Sequence, residues 1–187
     1  MLKPKEDREI SQGFPWVYDN EISTVKFPLE EGMKTSSLEE CAVEDGTIVE
    51  VYSNAGGFLG SGVINKKSKI TVRMISSLHA DKIWENMKSF WAKKIRDAVN
   101  IRNLSFKSDD SCRFGEADFI PGLIVEKYVS KGKLYLVVQF LALACEKFRN
   151  EILSSLKDFV KPDFIYERSD AAVREKEGLA EKAGWIG

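Results

Sequence analysis

The hydrophobic pattern of this 187-residue chain changes period once, near residue 77, and that change divides it into modules. Before it, apolar and polar residues alternate. "GTIVEVYS" (46–53) alternates from Ile48 onward. "KITVRMI" (69–75) sets Ile70, Val72 and Met74 on one side and Lys69, Thr71, Arg73 and Ile75 on the other. A period of two is the signature of β-strands, whose successive side chains point to opposite faces. "AGGFLGSGVIN" (55–65) adds four glycines, which suit turns and close backbone approach in a small barrel. After the change, "HADKIWENMKSFWAKKIRDAVNIRN" (79–103) spaces Ile83, Met87, Phe90, Trp91, Lys94, Ala98 and Ile101 at steps of three and four. That spacing predicts an amphipathic helix of about 20 residues with basic residues on its outer face. The expected layout is a β-barrel over 1–76, a connecting helix over 77–103 and a second module over 104–187.

The second module reads as strand, strand, helix, strand. "GLIVEKY" (122–128) and "LYLVVQFL" (134–141) flank the turn "KGK", predicting a hairpin. "CEKFRNEILSSLKDFV" (145–160) has helical spacing and stops at Pro162, and "DFIYER" (163–168) is a further strand. The fold class is therefore α+β: a small barrel, a long helix and an α/β subdomain. Residues 170–187 are polar and read as the approach to a further element, which predicts a piece of a longer protein.

Charge and composition exclude several classes. The net charge of −1 gives no whole-molecule attraction for nucleic acid, so any such binding must rest on a local patch. Cys41, Cys112 and Cys145 are widely spaced and form no C-x-x-C pair, which predicts neither a disulfide framework nor a metal site. His79 is the one histidine, so a Ser-His-Asp arrangement is disfavoured. The charged N-terminus lacks an apolar signal segment. The apolar run 134–145 falls short of the roughly 20 residues that cross a bilayer. No membrane partner is expected, and a reducing, cytoplasmic setting is.

Three stretches offer chemistry. In "RFGEADFIPGLIVEKY" (113–128), Glu116 and Asp118 lie two apart and can serve acid/base work as a carboxylate pair. The commoner use of such residues is to bond backbone N–H groups around a turn, here Pro121–Gly122. "NKKSKITVR" (65–73) holds Lys66, Lys67, Lys69 and Arg73 without an acid, suited either to phosphate oxygens or to a solvated hairpin. "GFPWVYDNEI" (13–22) brings Phe14, Trp16 and Tyr18 around a proline, aromatics that either stack on unpaired bases or, for Trp16, plug a core. Cys145 opens a helix, where a thiolate is favoured, but buried structural cysteines are the commoner case for all three. No G-x-G-x-x-G or G-x-x-x-x-G-K-[ST] follows a strand, so no nucleotide or S-adenosylmethionine cradle is expected.

Together the stretches "GFPWVYDNEI", "DGTIVEVYSNAGGFLGSGVINKKSKITVRMIS", "GEADFIPGLIVEKY", "VVQF" and "YERSDAAVREKEGL" resemble, in order, one family: the S-adenosylmethionine-dependent 23S ribosomal RNA cytosine-5 methyltransferases that begin with a PUA domain. The tight "RFGE" departs from the family, in which a few residues usually separate the Arg from the Gly-Glu. The resemblance implies a PUA barrel, a central RNA-binding α/β subdomain and a Rossmann-like catalytic domain, the last expected to be absent from these 187 residues. It therefore implies no catalytic, cofactor-binding or metal residue here, with S-adenosylmethionine belonging to the full-length protein. Lys66, Lys67, Lys69 and Arg73 are the expected RNA-backbone contacts, and Gly13, Phe14 and Trp16 the adjacent surface. Arg113, Glu116, Asp118, Arg168 and Asp170 are expected at a junction, as RNA contacts or interdomain hydrogen bonds. The expected partner is ribosomal RNA, and a homodimer is left open. The alternatives are a stand-alone RNA-binding or ribosome-assembly module without enzymatic activity, and a small hydrolase using Glu116 and Asp118.

Overall fold

Alternating residues near the start of the chain form short strands. The computed structural model describes residues 1–30 and 32–187 and divides into two units, Met1–Ile83 and Trp84–Gly187. The first contains Asp7–Ser11 (α1), Trp16–Val17 (β1), Val25–Leu29 (β2), Gly32–Ser36 (β3), Ile48–Tyr52 (β4), Phe58–Ile64 (β5) and Val72–Ser76 (β6). Strands β1, β6, β5 and β4 hydrogen-bond in that order as an antiparallel sheet, and β2 and β3 form a separate hairpin. Leu2, Ile10, Val17, Val51, Ile64 and Val72 meet in its core. The alternation of 69–75 gives β6, but Arg73 and Ile75 are buried as well as Val72, because β6 is covered on both faces. Gly62 is required by close approach: a Cβ there would lie 2.6 Å from the Arg73 carbonyl oxygen on β6.

The long helix is broken. Ala80–Glu85 (α2) and Met87–Asn103 (α3) are separated by Asn86, whose side chain accepts the Ser89 backbone N–H at 3.1 Å and so starts a new helix. The buried stripe of α3 is Trp91, Ile95 and Ala98, while Ile101 is half exposed. Lys94, expected on the stripe, lies one position off it, where its amine still reaches a carbonyl partner.

The second unit continues with Cys112–Gly115 (β7), Leu123–Ser130 (β8), Lys133–Phe140 (β9), Leu143–Lys147 (α4), Arg149–Val160 (α5), Phe164–Ser169 (β10), Val173–Lys176 (α6) and Lys182–Ile186 (β11). The sheet order is β11-β10-β9-β8-β7. Strands β9 and β10 are parallel, joined by the α4–α5 crossover, and the other pairs are antiparallel. The class is mixed α/β. Two strands, β7 and β11, extend the expected strand-strand-helix-strand core at its two edges. The anticipated helix over 145–160 is two helices meeting at Phe148, and α5 ends at Lys161 in the left-handed region, directly before Pro162.

Helix α3 packs against α5 and beside β7, and the Trp91 ring lies 5.3 Å from that of Phe148. Leu123, Val125, Leu136, Val138, Phe140 and Ile165 are buried on one face of the sheet. Gly122 directly precedes β8 with φ +82°, and a side chain there would collide with Ala142. Among the described residues no helix is long and apolar enough to cross a membrane.

Candidate nucleic-acid interface

The basic turn between β5 and β6 is held by its own backbone. The Asn65 N–H bonds the Thr71 carbonyl at 2.8 Å, and the Asn65 side chain accepts the Lys67 N–H at 3.2 Å. This frame leaves Lys67 and Lys69 exposed. Lys66 is committed differently: its amine bonds the Cys41 carbonyl at 3.1 Å, and its backbone N–H bonds Asp45 at 2.7 Å.

The aromatic segment lies next to this turn because β1 pairs with β6. Trp16 is the register partner of Arg73, and the Asp19 N–H bonds the Lys69 carbonyl at 3.0 Å. Phe14 meets Trp16 edge-on at 5.4 Å, and the Arg73 guanidinium lies 5.9 Å from the centre of the Trp16 ring. Arg73 is only 7% exposed, so it supports Trp16 from inside while the lysines project. Among the described residues the buried Trp16 indole N–H has no hydrogen-bond partner. Gly13, at φ +94°, makes the bend that returns the chain from α1 into β1. The first unit thus joins the exposed Lys67 and Lys69 to the aromatic segment through β1–β6 pairing and the Asp19–Lys69 backbone bond, with Arg73 as the cation at the Trp16 ring.

A second cluster in this unit escaped the sequence reading. Glu50 accepts the Ala80 N–H at 3.0 Å and the Tyr52 hydroxyl at 2.5 Å, with the His79 ring nitrogen 3.0 Å away. His79 stacks on Phe58 at 3.9 Å. Burial works against the Glu50 carboxylate, but these hydrogen bonds outweigh it and hold its pKa below the usual value, while the bond to Glu50 raises that of Tyr52. Spacing alone gave no signal of it, since the partners come from β4, β5 and the start of α2.

In the second unit the two conspicuous carboxylates bond the backbone. Asp118 accepts the Gly115 N–H at 2.8 Å and the Arg102 guanidinium at 2.7 Å, and Glu116 accepts the Gly122 N–H. Arg102 also bonds the Arg113 carbonyl at 2.7 Å, tying α3 to β7. Arg113 pairs across the sheet with Glu126 at 2.5 Å, and Arg168 lies 3.8 Å from Asp170. The Arg113 backbone carbonyl thus shares Arg102 with Asp118, while the Arg113 side chain turns to Glu126 and that of Arg168 to Asp170. Other cations are more enclosed than these two arginines. Arg174, 1% exposed, donates to the carbonyls of Phe140 and Ala180 and to Glu146, and Arg149 forks onto Glu167. Lys94 bonds the Phe119 carbonyl at 2.8 Å, and burial with the neighbouring Lys93 lowers its pKa to about 8.

The glycine-rich segment 56–62 does not fit a methyl-donor cofactor. Gly60 and Gly62 lie in β5, where side chains would collide with β6 backbone, so they serve strand packing rather than a loop before a helix.

Residues 1–77 match the PUA-like domain family. Ribosomal RNA large subunit methyltransferase I of Alteromonas mediterranea is 28% identical across 98% of this chain and 42% of its own length. The protein of that name from Vibrio cholerae is 32% identical across 95% of this chain and 40% of its own length. A putative SAM-dependent methyltransferase from Streptococcus mutans superposes on 90% of this chain and 39% of its own with a TM-score of 0.63, at 15% identity. A second putative methyltransferase, solved with SAH, gives 0.61 at 16% identity, over 90% of this chain and 40% of its own. The chain thus spans about two fifths of the length of the curated relatives it matches. Residues 1–77 thus match a PUA-like domain, and nearly the whole chain is similar to part of ribosomal RNA large subunit methyltransferase I.

Proposed function

We propose that this chain is the RNA-recognition portion of an S-adenosylmethionine-dependent ribosomal RNA cytosine-5 methyltransferase, active in the cytoplasm. The observation that carries this reading is the PUA-like match of residues 1–77 together with similarity along nearly the whole chain to ribosomal RNA large subunit methyltransferase I. In this reading the first unit docks structured RNA. Lys67 and Lys69 meet backbone phosphates, and Phe14 and Trp16 form the neighbouring apolar surface. The second unit helps present a cytosine to a catalytic domain, which must take the base out of any stack before reacting with it. The methyl donor belongs to that catalytic domain. The carboxylates Glu116 and Asp118 hold the turn that starts β8 and take no chemical step.

The test is the affinity for 23S ribosomal RNA fragments measured against salt. Lys67→Ala and Lys69→Ala should each weaken binding and reduce the salt slope by roughly one phosphate contact. Lys66→Ala should do less, since its amine is already engaged with Cys41. If both Lys67 and Lys69 variants keep wild-type affinity and slope, the docking surface lies elsewhere.

A further inference from the structure

The second unit's sheet has a covered face and a bare one. On the bare face, register places Tyr128 opposite Tyr135, Tyr135 opposite Phe164, and Tyr166 opposite Trp185. The rings touch in series. Tyr135 and Phe164 stack at 5.2 Å with 19° between their planes, Phe164 meets Trp185 at 6.2 Å, and Trp185 meets Tyr166 at 5.1 Å. The touching rings run across β9, β10 and β11, about 10 Å at the usual strand spacing, and Tyr128 of β8 is exposed on the same face. Cross-strand aromatic pairs stabilise sheets, but that role does not require solvent exposure. Here Trp185 is 68% exposed and Phe164 45%. Tyr135, Phe164 and Trp185 line one depression with Lys157 and Pro162.

Charge around this row favours an anion. Lys131 and Lys133 lie at the β8–β9 turn, and Lys157 and Lys161 at the end of α5, against Asp158 and Asp163. Lys133 is paired with Asp163 at 2.8 Å, and Lys157 bonds the Gly187 carbonyl at 3.1 Å. Lys131 and Lys161 stand exposed at two neighbouring loop tips. Flat rings between cationic tips match a strand whose bases are unpaired. The rings take base faces and the lysines take phosphates.

We propose that this aromatic face is a stacking platform for two or three unpaired nucleotides of the RNA. The inference rests on the RNA-recognition reading and adds a second contact surface, specific for single-stranded rather than folded RNA. It gives the second unit a direct role in holding an unpaired segment.

The experiment uses the full chain, octauridylate as the unpaired probe and a paired ribosomal RNA stem of similar length as the comparison. Trp185→Ala and Phe164→Ala should each weaken octauridylate binding by about tenfold and leave the stem unchanged, with unaltered circular dichroism. Trp185→Phe should restore most of the loss, because a flat ring remains. Octauridylate should also quench the fluorescence of wild-type protein more than that of Trp185→Phe. If the alanine variants bind octauridylate like wild type, the platform is refuted while stem binding keeps the recognition reading. If wild type binds neither RNA, both fall. If Trp185→Ala instead converts a sedimenting dimer to monomer with RNA binding unchanged, the face is a contact between copies and the proposal is overturned.

Discussion

At the residue scale, partner and burial decide what each charged side chain does, and sequence spacing shows neither. Glu116 and Asp118 lie two apart on a sequence that invites catalysis, yet one bonds the Gly122 N–H and the other the Gly115 N–H and Arg102. Asp118 is 5% exposed and Arg102 18%, so Asp118→Ala leaves a guanidinium without its carboxylate in a mostly dry site. That variant should lose about 3 kcal/mol in chemical denaturation, and Glu116→Gln, which keeps an acceptor, under about 1. Equal losses would mean that the ion pair with α3 is not the larger contribution. Lys94 gives a pH readout. Its folded pKa of about 8 lies below the ordinary lysine value of 10.5, because burial and Lys93 disfavour the ammonium. Between those values the unfolded chain holds a proton the folded chain has released, so stability should rise with pH there and be flat with respect to this group below about 8. Nitrogen-15 titration of the lysine amines should show one midpoint near 8, and its absence would refute the burial. The turn-capping use of the carboxylates was legible as the commoner use of such residues. The Arg102 partner was not, because it depends on how α3 packs.

Elements were legible in proportion to their period and length. Strands β4, β6, β8, β9 and β10 and the helix α5 lie where the sequence pattern predicted them, whereas β5 occupies the glycine-rich stretch read as turns. Strand β7 has four residues and β11 reads "KAGWI", too short or too polar for periodicity to register. The break at Asn86 was hidden because a capping side chain interrupts a stretch whose apolar spacing continues through it. The second unit also has an ionic brace that no pattern announced. Glu146 on α4 accepts Lys182 from β11 at 2.5 Å and Arg174 from α6 at 3.0 Å, joining three elements. Burial raises the Glu146 pKa, but the bonds from Lys182 and Arg174 outweigh it, and the net direction is down from 4.5. The stabilisation is therefore present above pH 4.5 and is lost as pH falls through the folded value. Arg174→Met should cost about 3 kcal/mol at neutral pH, since it leaves the Phe140 and Ala180 carbonyls without their donor and Glu146 with Lys182 alone of the two cations, and should flatten the loss of stability in acid. A variant that unfolds at the wild-type acid midpoint with the same slope would exclude Glu146 as a source of that loss.

On the scale of the whole molecule, a near-neutral chain can recognise a polyanion only through local arrangements. The basic run 65–73 was readable from sequence. The aromatic face was not, because Tyr128, Tyr135, Phe164, Tyr166 and Trp185 become neighbours only once strand order and register are known. The sheet of the second unit mixes two kinds of pairing, and this sets an order of events in time. The β7–β8 and β8–β9 pairs are antiparallel neighbours along the chain, whereas β9 meets β10 in parallel only after the α4–α5 crossover has closed. Closing that larger loop costs entropy before its contacts form, so the meander should assemble first and β10 with α5 should dock later. Pulsed hydrogen exchange during refolding should protect Val125 and Val138 amides before those of Ile165 and Tyr166, and simultaneous protection would rule this sequence out. The stacking row, which needs β10 and β11 beside β9, would then be the last surface the folding chain completes.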